Sequence, residues 1–322
     1  TGLGFAALES FGPLALVAFV GTLNPSSGDV SVFLPLEHAV LARSVGAADR
    51  TALFARYSLV GSLMGAVGAL LVAVPELLTA HLGVASPTAL RLMFVAYALT
   101  GLAAALLYRR LPAGTVKVGE GQGAALGPSR GIVLRLAALF TFDAFAGGLV
   151  VQSLLALWLL ERFGLSLTAT AQLFFWSGLL TAISYLLAVP LAKRIGLVNT
   201  MVFTHLPANV CLCGVPFVPE LWQAVALLLV RALLSQMDVP TRTSYVMAVV
   251  TPPERPAAAS LTAVPRSLAS AASPMLAGWL LGAASFAWPL LLAGLMKIAY
   301  DLTLLALFRH VRPPEEEKGG KR

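Results

Sequence analysis

Arg231, Asp238 and Arg242 stand seven and then four residues apart in "LWQAVALLLVRALLSQMDVPTRTSYVMAVV", residues 221–250, a stretch otherwise rich in apolar residues. In an unbroken helix that spacing places all three on one face. A charge facing lipid near the middle of a bilayer costs about 2.5 kcal/mol or more. The three must therefore face protein or a wet cavity. Two chemistries fit: a guanidinium can hold an anionic or polar solute group, or Asp238 and Arg242 can form a structural pair. Arg242 suits the structural pair best. Pro240 removes one backbone hydrogen bond and frees a carbonyl near position 236, which lipid tolerates only beside protein or water.

The same test picks out further ionisable and polar residues. Asp143 lies in "FTFDAFAGGLVVQS", where Gly147 and Gly148 invite a bend and Gln152 follows at similar depth. Near the start, "LNPSSGDVSVFLPLEH" carries Asn24, Pro25, Ser26, Ser27, Asp29, Pro35 and Glu37. A carboxylate in such surroundings can carry a proton near neutral pH. That makes Asp29 a candidate proton carrier, and Glu37 either a second carrier or the partner of Arg56 on the next span. Arg266 either faces solute or pairs with Asp238. His205 reads as a hydrogen-bonded core histidine, and His38 as interfacial. A serine hydrolase using Ser27 and His205 is disfavoured, since Pro25 takes the place of the leading glycine in a Gly-x-Ser-Gly element.

These residues need elements that can hold them in an apolar medium. Of 322 residues, 58% are hydrophobic and 11% charged, with mean hydropathy +0.85. A soluble domain carries about 25% charged residues, so the bilayer is the expected solvent. The net charge of +7 does not point to nucleic acid, because the basic residues sit between apolar runs. No HExxH, CxxC or phosphate-binding loop occurs, so no metal, cofactor or nucleotide is expected and the reading is not that of an enzyme. Cys211 and Cys213 read as small apolar residues of a helix.

A short apolar stub, 1–8, precedes nine expected spans: 12–42, 52–74, 88–108, 132–160, 169–192, 199–218, 221–250, 257–284 and 287–308. The fold class is all-α and polytopic. A Gly- and Pro-containing linker occupies 109–131, and "RPPEEEKGGKR" forms a polar tail over 312–322. With the 43–50 connection cytoplasmic, the basic residues of the connections (Arg43, Arg50, Arg109, Arg110, Lys117, Arg130, Arg135, Lys193, Arg194 and Arg255) and of the tail share one side. The other side keeps only Arg91 and Arg162. The positive-inside rule then makes the C-terminus cytoplasmic, in an inner or plasma membrane of bacterial type.

Residues 23–68 and 221–284 also repeat one plan. Each copy has a polar, proline-broken span, an acidic–basic pair (Asp49-Arg50, Glu254-Arg255), then a span with an embedded arginine and small residues. Those small residues are Gly61, Gly65 and Gly68 in one copy, and Ser270, Ser273, Pro274 and Gly278 in the other. Matching broken helices in two halves point to a secondary transporter with its site between the halves.

Three segments, in order, make the chain resemble the major facilitator superfamily (MFS). "DRTALFARYSLVGSLMGAVG" at 49–68 is similar to the start of that family's fifth helix. "PLAKRIGLVNT" at 190–200 resembles the Asp-Arg-x-Gly-Arg loop between its eighth and ninth helices. There Arg194 and Gly196 match, Lys193 replaces the acid and Leu197 the last basic residue. "SPMLAGWLLG" at 273–282 resembles its eleventh helix. The resemblance implies a twelve-helix fold of two six-helix bundles, of which the first two helices and most of the third are missing here. Residues 1–108 would be the remainder of the first bundle, 109–131 the cytoplasmic linker and 132–311 the second bundle. It also places the last span outside the cavity, so Lys297 and Asp301, four apart, read as a local pair.

The expected function is secondary active transport of a small organic solute by alternating access, by a monomer in the lipid bilayer. Proton-coupled efflux is the first choice. Uptake of an anionic metabolite with protons, and a non-transporting scaffold or receptor, are the alternatives. The expected solute and proton pathway is Asn24, Asp29, Glu37, Asp143, Gln152, Arg231, Asp238 and Arg266. Gating or structural roles fall to Arg56, Arg194, Gly196, Pro240, Arg242, Pro274 and Gly278.

Overall fold

The computed structural model describes residues 1–20, 41, 45, 49–110, 126–283 and 288–311. Among these, all regular structure is helical. That follows from the medium: only intrahelical bonding satisfies every backbone group where lipid replaces water. In the first part, α1 is Gly2–Ala7, α2 Phe11–Val20, α3 Arg50–Leu71, α4 Val74–Leu82 and α5 Ser86–Tyr108. In the second, α6 is Arg130–Gly148, α7 Gln152–Phe163, α8 Leu167–Ile195, α9 Leu197–Gly214, α10 Leu221–Leu234, α11 Asp238–Val249, α12 Arg255–Ala283 and α13 Trp288–Phe308.

Among the described residues seven helical stretches are long and apolar enough to cross a membrane: 52–82, 86–108, 130–163, 167–195, 197–217, 221–249 and 288–308. The 29-residue α12 runs beside them, packed along α6. The chain is an integral membrane protein. Most of the expected 12–42 span lies outside the described residues.

Two expected spans are each built from two helices. The 132–160 span is α6 and α7, separated at Leu149–Val151 directly after Gly147-Gly148. The 221–250 span is α10 and α11, separated at 235–237. This corrects the reading of Pro240. Pro240 is the third residue of a new helix, where the N–H it lacks would have had no intrahelical acceptor. No carbonyl need be freed within a continuous helix, because the helix has already ended at Leu234.

Close approaches fix the packing. Gly148 sits where a Cβ would lie 2.8 Å from the Ser270 carbonyl oxygen and 2.8 Å from Ser273 Cβ, which seats α6 on α12. Gly178 of α8 likewise meets Ala66 of α3, and the Ser62 hydroxyl donates to the Gly178 carbonyl at 2.8 Å. By contrast a Cβ on Gly61, Gly65, Gly68 or Gly278 would meet nothing within 4 Å. On α12 two residues of the small-residue pattern, Ser270 and Ser273, make the close contact, whereas on α3 it is Ala66 rather than the patterned glycines. Gly196 joins α8 to α9 with φ +86° and ψ 164°, a conformation that essentially only glycine adopts.

The described residues from 126 to 311 hold two apolar clusters. One gathers Leu136, Phe140, Met201, Tyr245, Tyr300 and Phe308. The other gathers Leu149, Trp158, Leu159, Leu212, Leu228 and Leu290. Along α6, α9 and α13, residues between these clusters are the polar ones: Asp143, His205, Asn209 and Lys297.

Candidate functional site

That polar layer is the candidate site. Asp143, on α6, is 4% exposed. Its Oδ1 accepts from Lys297 Nζ of α13 at 2.6 Å, and its Oδ2 faces Arg242 Nη2 of α11 at 3.4 Å. Arg242 also bonds Asp238 one turn earlier on α11. The guanidinium lies over the Phe140 ring, 5.1 Å from its centroid. Charges therefore alternate along one chain of contacts, Asp238, Arg242, Asp143, Lys297, drawn from three helices. A buried ion survives only when such partners replace its hydration.

A second group adjoins it. His205 Nδ1 is 2.8 Å from Asp301 Oδ1, and Asn209 Nδ2 donates to Asp301 Oδ2 at 2.9 Å. With Asp301 ionised, the imidazole hydrogen must lie on Nδ1. The Tyr300 ring meets His205 edge to face at 6.1 Å. His205 and Asp143 are close enough to interact electrostatically, so the two groups form one cluster.

Arg231 lies in the last turn of α10, which ends at Leu234 just before the break. It lies within electrostatic reach of Asp143. Its Nε is buried and has no hydrogen-bond partner among the described residues, as is true of the Tyr300 hydroxyl and Asn209 Oδ1. The layer thus has polar capacity beyond its internal pairs.

The structure brings Asp143 together with Arg231, Asp238 and Arg242; spacing had linked only the last three. Arg231 approaches across the helix break rather than along one continuous face. Lys297 and Asp301 do not form the local pair expected of them: each bonds another helix, Lys297 to α6 and Asp301 to α9. His205 is a buried, hydrogen-bonded histidine. Asn209, Lys297 and Asp301 are the members whose partners the sequence did not indicate. Asn209 follows His205 by four residues, which was the available signal.

Gln152 opens α7 and is half-buried, and Arg266 is half-buried on α12. Arg56 and Arg194 are exposed, Pro240 is buried, and Pro274 lies inside α12. Asn24, Asp29 and Glu37 lie outside the described residues. An uncharged cleft of about 570 Å³ runs between α6 and α12, lined by Leu134, Thr141, Phe142, Phe145, Leu261 and Pro265 among others.

The chain matches the sequence profile described as Major Facilitator Superfamily over residues 136–322. It is also similar to the uncharacterized membrane protein YJR124C of Saccharomyces cerevisiae. The two are 21% identical over 344 aligned residues, spanning 96% of this chain and 77% of the yeast protein.

Proposed function

Since the chain belongs to the major facilitator superfamily, a family of membrane transporters, we propose that it moves a small organic solute by alternating access coupled to protons, in the direction of efflux. The observation that carries this reading is the position of Asp143, a buried carboxylate holding Lys297 and Arg242 from two other helices. With Lys297 and Arg242 on it the carboxylate stays charged, so in this reading the proton takes their place on Asp143 in a conformation where the helices have drawn the two cations away. Leaving a buried charge without its partner costs about 3–5 kcal/mol. α6, α11 and α13 then have reason to repack, and the break between α6 and α7 gives them room to do so.

In this reading the proton and the solute occupy different faces of α6. Asp143 faces the ion network. Phe142 and Phe145 face the uncharged cleft, whose volume suits a drug-sized molecule. That division favours a small amphipathic solute. From the first part of the chain, Asn24, Asp29 and Glu37 are proposed to complete the pathway. Residues 1–108 and 132–311 serve as the two moving units, joined by the 109–131 linker.

The test is transport in proteoliposomes under an imposed pH gradient, using neutral, cationic and anionic organic solutes. Movement of an amphipathic solute against the proton flux supports efflux by exchange. Movement that ignores the gradient for every solute contradicts proton coupling.

Arg231 favours a second reading, uptake of an anionic metabolite, because its buried Nε lacks a partner among the described residues. Under that reading Arg231→Ala raises the half-saturating concentration of an anion far more than that of a neutral solute. Equal effects exclude it.

A further inference from the structure

We propose that Glu76 is a latch between the two halves of the protein, closed in this conformation and opened in every transport cycle. The inference rests on the transport reading above and adds a gating residue to it.

Glu76 belongs to the first turn of α4, in the first half. Its Oε2 accepts the backbone N–H of Thr168 at 3.0 Å and the Thr168 hydroxyl at 2.6 Å. Thr168 stands in the first turn of α8, in the second half, where backbone N–H groups have no intrahelical acceptor. A carboxylate there meets both the orphan donors and the positive end of the helix dipole. Ser166, the residue preceding α8, already caps Ala169 N–H at 3.1 Å. Glu76 therefore supplies from the other half an acceptor that α8 does not supply for itself.

Position along α8 makes this contact a latch rather than a pivot. α3 and α8 are in close contact at Gly178, against Ala66 and Ser62. Thr168 lies ten residues away, about 15 Å along the helix. If the halves rock about the Gly178 contact, atoms there barely move, whereas atoms at Thr168 shift by several ångström. A hydrogen bond tolerates a few tenths. Thr168 is also at the end of α8 opposite the basic Lys193 and Arg194. In the orientation expected from the sequence, that is the outer end.

The experiment uses the whole chain in proteoliposomes, with Cys211 and Cys213 replaced by alanine. Glu76→Cys and Thr168→Cys are joined by a short bis-methanethiosulfonate, then released by reductant. Bridging is expected to lower transport about tenfold and reduction to restore it, because a closed lid blocks turnover. Bridged protein that transports at the unbridged rate overturns the latch while leaving the transport reading intact. Wild-type protein that moves no solute condemns the transport reading instead.

A second measurement needs no transport. Hydrogen exchange at Thr168 N–H should quicken about tenfold in Glu76→Ala, the loss of one hydrogen bond to a charged acceptor. Unchanged exchange also overturns the proposal.

Discussion

Lys297 Nζ lies 2.6 Å from Asp143 Oδ1, joining residues 154 positions apart in the chain. The bond ties α13 to α6 between the two apolar clusters. With Arg242 on the other carboxylate oxygen, Asp143 becomes the point at which three helices exchange charge.

The first prediction concerns that coupling. Lys297→Met leaves Asp143 with Arg242 alone and should destabilise the protein by about 3 kcal/mol. Asp143→Asn combined with Lys297→Met removes both charges, leaving Arg242 with Asp238. The double variant should lose less than the two single losses added together. Thermal unfolding in detergent measures all three, and strict additivity would show that the two side chains do not depend on each other.

The second concerns the contact between α3 and α8. Gly178→Ala places a Cβ 2.8 Å from Ala66 Cβ, so it should cost about 1–3 kcal/mol. Ala66→Gly should relieve it. Gly65→Ala, one residue away on α3, meets nothing within 4 Å and should be neutral or stabilise by up to about 1 kcal/mol. Melting temperatures of the three variants decide; equal losses at Gly65 and Gly178 would refute this packing.

The third concerns acid. Glu254, in the turn between α11 and α12, has its carboxyl held down at about 2 by the Ser129 hydroxyl, the Thr251 hydroxyl and the Gly127 N–H. These bonds fasten the end of the linker to the base of α12. A carboxyl with a lowered folded-state value stabilises the fold above its unfolded value, near 4.5, and loses that contribution as pH falls toward 2. Tryptic cleavage after Arg130, which is exposed at the start of α6, should therefore quicken in Glu254→Ala at pH 7. Wild type and variant should converge in stability near pH 2. Identical cleavage at pH 7 would show that the carboxylate fastens nothing.

Much of this was legible from residue types. Apolar runs gave the helices because lipid leaves the backbone no other way to bond. Gly147-Gly148 marked one helix break, and Pro240 pointed near a second that falls earlier, at 235–237. Asp143, Asp238 and Arg242 were conspicuous because charge is expensive where they sit. What the sequence hid was direction. Lys297 and Asp301 have the spacing of a helical pair, yet spacing says nothing of stronger partners on α6 and α9. The glycines of α3 offered several close approaches, and only the fold shows that Ala66 meets Gly178. Glu254 read as half of a charge pair with Arg255, whereas its carboxylate bonds the far end of the linker.

Proton coupling through Asp143 is the central claim, and the pH dependence of transport tests it most directly. Proteoliposomes holding wild-type protein or Asp143→Asn would be assayed for initial transport rate between pH 5 and pH 9 (a range of about four decades in proton concentration). The account predicts a rate that varies with pH in wild type and a flat profile in Asp143→Asn, with the variant still folded. A variant that keeps the wild-type profile would contradict it.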